Sequence, residues 1–94
     1  MSKLSPMWEA LAAYQPYANN HGFGVEWAEM CEEKTRGSAD NAFRAADADK
    51  SIDARQAAWC AASMFYRNVD DAFVDKWSAK AIENITHAIE KENL

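Results

Sequence analysis

Residues 54–69 read ARQAAWCAASMFYRNV, a run without Gly or Pro and with apolar side chains on almost every side. It is too long for a typical buried strand and too short to cross a bilayer. A helix that is apolar all round belongs in the middle of a bundle. The run therefore predicts a central helix over about Ile52–Arg67. Ala54, Ala58, Ala61, Ala62 and Phe65 line one side of it, and Ile52, Trp59 and Tyr66 another. The alanine side lets a neighbouring helix approach near the short end of the usual range of about 8–10 Å.

Composition extends this reading to the whole chain. Among 94 residues, nineteen are Ala, while Val, Ile and Thr together number nine. Ala is the best helix former, and strands favour β-branched residues. A hydrophobic content of 49% with four Trp is incompatible with a disordered chain, which needs low hydrophobicity. The expectation is an all-α fold forming a single helical domain over residues 1–94. It is a compact bundle of four to five helices, with the last two long helices as an antiparallel pair.

Working outward, Asn68 breaks the central pattern and stands where it can cap a helix over about Asp70–Lys91. Phe73, Trp77, Ala81 and Ile85 stripe that helix. Asp70, Asp71 and Asp75 lie near its start, where anions suit the helix dipole. Before the central helix, Ser38 is placed to cap a short helix over Ala39–Ala48, and Ser51 or Asp49 to cap the central one. A helix over about Val25–Arg36 is expected to end at Gly37. The first helix covers about Pro6–Tyr14, with Ser5 as its cap. Gln15 precedes Pro16, which disfavours helix and closes the segment. Residues 16–24, PYANNHGFG, read as an irregular loop that Tyr17 and Phe23 pin onto the core.

The charge is acidic, with 15 Asp and Glu against 10 Lys and Arg and a net −5. Phosphate contacts need clustered Lys and Arg, and here they are scattered, so direct nucleic-acid binding is not expected. No stretch reads as a membrane span. The beginning, MSKLSPMWEALAAY, lacks the unbroken apolar core of a signal peptide. Cys31 and Cys60 then read as buried, reduced thiols, and a cytoplasmic setting follows.

Catalytic chemistry finds little support. His21 and His87 have no Cys or second His within one helical turn, as a metal cluster usually requires, and read as structural or solvent-exposed. Cys31 and Cys60 are not a CxxC pair, and acidic surroundings work against a reactive thiolate. Glu26, Glu29, Glu32 and Glu33 lack the Glu-x-x-His pattern of carboxylate-bridged metal sites and read as a solvated face. No serine lies in a G-x-S-x-G turn, and Gly22 and Gly24 are not followed by GK[ST]. No enzyme activity, cofactor or metal is expected.

What remains is binding. Glu26, Glu29, Glu33, Asp40 and Asp47 supply an acidic face suited to a protein partner with a basic surface. Tyr14, Tyr17 and Phe23 surround the irregular loop and supply aromatics of the kind enriched at binding hot spots. EWAEMCEEKT at 26–35, followed by the Ala-rich run DARQAAWCAASMFYR at 53–67, resembles small Ala/Trp-rich accessory proteins of bacteriophages and prophages. That resemblance implies a protein that binds a host protein and blocks it, as anti-CRISPR proteins do. Full DNA mimicry is not expected, because duplex DNA carries one charge per about 1.7 Å and this chain is far sparser. A homodimeric assembly module, using the stripe of the last helix, is the second reading. A metal-binding regulator or small enzyme is the third.

Overall fold

The structure, a computed structural model, describes residues 5–94; residues 1–4, the start of the segment read for a signal peptide, lie outside the described residues. Six helices follow one another: α1 (Ser5–Ala13), α2 (Gln15–His21), α3 (Gly24–Glu33), α4 (Arg36–Ala48), α5 (Ile52–Ser63) and α6 (Asp71–Glu92). No strand occurs among the described residues. The all-helical expectation holds, but there are more helices than the four to five expected.

The extra helix is α2, in the segment expected to be a loop. Pro16 falls in its first turn, where the missing N–H costs no hydrogen bond and the fixed φ suits a helix start. Proline here ends one helix and opens the next. Gly22 then closes α2 in the left-handed region, with φ 87°. The Phe23 N–H donates back to the Ala18 carbonyl at 3.1 Å and carries the ring into the core.

The boundary between α3 and α4 also differs from expectation. Gly37 is not a helix end; it lies in the first turn of α4. Lys34 takes the left-handed position instead, with φ 52°. Thr35 is the cap: its Oγ1 accepts from the Ser38 N–H at 3.1 Å, and Ser38 Oγ accepts from the Thr35 N–H at 3.2 Å. This reciprocal box satisfies two backbone donors at once and outweighs the glycine signal.

The central helix is shorter than expected. α5 stops at Ser63, whose hydroxyl donates to the Trp59 carbonyl at 3.0 Å. Such back-bonding competes with helix propagation. Residues 64–66 then continue as tight turns. The picture of two long helices paired together is corrected accordingly. α6 is long and α5 is not, and α5 packs against α4 as well as α6. Along α5 and α6 the contacts run in opposite order, with Trp59 near Trp77 and Asp53 near Lys91.

The core has two textures. In α4, α5 and α6 it is mainly alanine: Ala42, Ala46, Ala54, Ala57, Ala58, Ala61 and Ala81 are fully buried. In α1–α3 it is large and aromatic, built from Met7, Leu11, Tyr14, Phe23, Trp27 and Met30. Tyr14 meets Trp27 edge-on at 5.3 Å, and the Trp27 Nε1–H donates to the Leu11 carbonyl at 2.7 Å. α1 joins the two halves by packing on both α3 and α6.

Candidate functional site

The acidic residues expected to face a partner fall on two helices. Glu26, Glu29 and Glu33 share one stripe of α3, since positions three and four apart are neighbours on a helix. Glu29, Glu32 and Glu33 are exposed, and Glu26 is half-buried. On α4, Asp40 is half-buried and lies 3.9 Å from Arg36, while exposed Asp47 lies 3.5 Å from Arg55. Each α4 carboxylate thus has a guanidinium beside it. The α3 stripe is the more concentrated negative surface.

Two of the three loop aromatics are buried and the third is half-buried. Tyr14 and Phe23 are each only 2% exposed, because α2 folds the segment against α3 instead of leaving it open. Tyr17 is half-buried; its ring packs on Tyr14 at 5.6 Å and its hydroxyl donates to Asn93 Oδ1 at 3.4 Å. The exposed aromatics lie elsewhere. Trp59 (37%), Phe65 (37%) and Tyr66 (42%) stand at the end of α5 and in the turn after it. Trp77 and Phe73 adjoin Trp59, with ring centroids 5.0 Å (Trp59–Trp77) and 5.9 Å (Phe73–Trp77) apart. Arg36 stacks over Tyr66 at 5.1 Å, in cation–π range. Only two residues separate Arg36 from Glu33, so the end of the acidic stripe and the Arg36–Tyr66 pair adjoin along the chain.

A cleft of about 370 Å³ occupies the other end of the α5–α6 contact. His21, the last residue of α2, reaches into it. Its Nδ1 lies 2.7 Å from Asp49 Oδ2 and its Nε2 2.9 Å from Glu92 Oε2. The Ser51 hydroxyl donates to the same Asp49 oxygen at 2.6 Å, and Lys91 pairs with Asp53 at 2.7 Å. The hydrogen bond to Glu92, seconded by Asp49, raises the imidazole pKa above 6.5 against the opposing effect of burial. Ser51 first, and then His21, hold the Asp49 carboxyl below its ordinary value. Burial, followed by the charges of Glu92, Asp49 and Asp53, pushes Tyr14 up to about 12.

An imidazolium donates from both ring nitrogens. With a carboxylate on each, the ring while charged offers no lone pair for proton abstraction or for a metal. Burial raises both thiols, Cys31 and Cys60, to about 11, which keeps them protonated and poorly nucleophilic.

Neither the aromatic end nor the histidine cluster was legible in the sequence. Trp59 and Tyr66 read as core, and the partners of His21 lie 28 and 71 residues away. No protein-family model, curated protein or solved structure matches this chain.

Proposed function

We propose that this chain is a small acidic protein-binding module: a phage-encoded inhibitor that sterically blocks a host nucleic-acid-handling protein of anti-phage defence, such as a CRISPR component. It acts without enzymatic chemistry and without a cofactor, in the host cytoplasm. The observation that carries the reading is the exposed α3 stripe, whose last residue Glu33 lies three positions before the Arg36 that stacks on exposed Tyr66. Glu29 and Glu33, with Glu26 behind them, steer the module onto a basic groove; complementary charge speeds association more than it deepens affinity. Trp59, Phe65 and Tyr66, with Arg36 over Tyr66, supply anchors of the residue types that dominate binding hot spots. This reading moves the aromatic contribution away from Tyr14 and Phe23, which are buried. No helix among the described residues is long and apolar enough to cross a membrane.

The test is a tagged pull-down from nuclease-treated host lysate at low and high salt, repeated with the Glu29→Lys/Glu33→Lys double variant. Each reversal adds two charges, so the net charge moves from −5 to −1. Capture of one nucleic-acid-handling protein, weakened by salt and lost in the double variant, is the expected result. Equal capture by both proteins removes the acidic stripe from the mechanism.

The exposed aromatics also favour a second reading, a homodimeric assembly module that buries Trp59, Phe65 and Tyr66 against another copy. A monomeric mass at micromolar concentration, from light scattering, counts against it.

A further inference from the structure

The histidine cluster joins segments that are distant in sequence. His21 ends α2, Asp49 follows α4, and Glu92 ends α6. Both nitrogens of one ring hold these segments together, at 2.7 and 2.9 Å. A charged ring satisfies both carboxylates. A neutral ring has one N–H and turns a lone pair toward the other carboxylate, so one arm changes from attraction to repulsion.

The two arms differ in their freedom to move. Asp49 belongs to a junction tied on both sides by backbone bonds, Ser51 N–H to the Ala46 carbonyl at 2.9 Å and Arg55 N–H to the Ser51 carbonyl at 2.8 Å. It also keeps the Ser51 hydroxyl as a donor. Glu92 lies in the last turn of α6, where residues 90–94 are exposed. Among the described residues, the side-chain ties there are Lys91 to Asp53 and the longer Tyr17–Asn93 contact at 3.4 Å, and the Asn93 N–H donates to the Ile89 and Glu90 carbonyls within the same helix end. The end of α6 is therefore the arm that yields.

We propose that His21, Asp49 and Glu92 form a proton-operated clasp: with the ring charged, the last turn of α6 is held at the cleft, and with the ring neutral that turn lifts and uncovers Tyr14 and Ala54 in the cleft lining. The charged and titratable groups around the ring are Asp49 and Lys50 at the α4–α5 junction, Asp53 on α5, Lys91 and Glu92 on α6, and the Tyr14 hydroxyl. Lys91 is engaged by Asp53, so it does not substitute for the ring at Glu92. The carboxylates raise the ring's pKa above 6.5, which sets the direction. The clasp is closed well below that value and opens as pH rises through the raised one. On the acid side it fails once either carboxylate takes up a proton, and Ser51 and His21 hold that of Asp49 below its usual range. Histidine is the side chain suited to such a device near neutral pH.

Two measurements test the clasp. The His21 ring is titrated by NMR in the otherwise natural chain, assigned with a His87→Gln variant. A midpoint above the ordinary value is expected, and Glu92→Gln should lower it. Amide exchange of residues 88–93, corrected for intrinsic rate, is then compared at about pH 6 and about pH 9. Protection should fall at the higher pH, in step with the loss of the ring proton. His21→Gln should show the lower protection at both values. A midpoint at or below 6.5 in the natural chain, or protection that does not change while the ring titrates, would overturn the proposal, and neither result depends on the variant folding.

Discussion

Two glycines only two residues apart are required for different reasons. Gly22 sits at φ 87° with open space where a Cβ would go. Gly22→Ala should cost about 1 kcal/mol, the penalty of a left-handed alanine. Gly24 has no such backbone demand, but a Cβ there would stand 1.9 Å from Asn19 Oδ1 and 2.9 Å from the Asn19 Cα. The Asn19 amide is also held by Gln15 Nε2 at 2.9 Å, and that same nitrogen donates to the Gly24 carbonyl at 2.8 Å. Gly24→Ala must move backbone, and about 2–3 kcal/mol is expected, near the top of the overpacking range. Urea midpoints of the two variants should show this order; the reverse order would mean that the α2–α3 junction yields easily. Ser78 presents the opposite case. Its Oγ is buried without a hydrogen-bond partner among the described residues, whereas Ser63 and Thr86 donate to carbonyls one turn back. Ser78→Ala removes a desolvated hydroxyl and should leave stability unchanged or raise it by up to about 1 kcal/mol in the same assay.

At the level of elements, periodicity and composition made helices easy to read, and punctuation made their ends hard. Apolar spacing located α1, α3, α4, α5 and α6, because a stripe at helical period must be buried whatever its exact bounds. Pro16 and Gly37 misled because each residue has two meanings. Proline stops one helix and suits the first turn of the next, and glycine can stand in a first turn as well as after a last one. The decisive signal at α4 was Thr35 three residues before Ser38, a box closed by a serine instead of the usual Glu or Gln. Thr35→Ala should therefore cost about 1 kcal/mol, the usual loss for a cap. Ser38→Ala should cost a similar amount, and the double variant less than the sum, because both belong to one reciprocal unit. Additive losses in thermal melts would show that the box does not act as a unit. Gly37→Ala, by contrast, meets open space in a helical turn and should be tolerated.

Across the whole molecule, the alanine half and the aromatic half meet around Tyr14, which touches Trp27 on one side and lines the cleft on the other. This meeting could not be read from sequence. Tyr14 stood beside an apparent loop, while the carboxylates that surround it belong to α4–α6 and come together only in three dimensions. The same holds for the surface: the α3 stripe was legible as a charge pattern, but the aromatic end was not. Alanines fill the α4–α6 core so closely that Trp59, Phe65 and Tyr66 remain partly outside. The position of Tyr14 has a consequence for the stability of the entire fold. Burial and then the charges of Glu92, Asp49 and Asp53 raise its folded-state pKa from 10.0 to about 12. A phenol whose folded pKa is raised contributes stability that is complete below the unfolded value. That stability drains as pH rises from about 10 towards about 12, because the unfolded chain ionises first. Two units correspond to about 2–3 kcal/mol, a large share of what a small domain holds. Urea unfolding at about pH 8 and about pH 11 should reveal this loss in the natural chain. Tyr14→Phe, which has no proton to lose, should show a loss smaller by about 1–1.5 kcal/mol, the half of that stability gone by about pH 11, even if removing the hydroxyl shifts stability equally at both values. If the two proteins lose the same stability over this range, the alkaline limit of the fold is set by other groups and Tyr14 is not the buried acid described above.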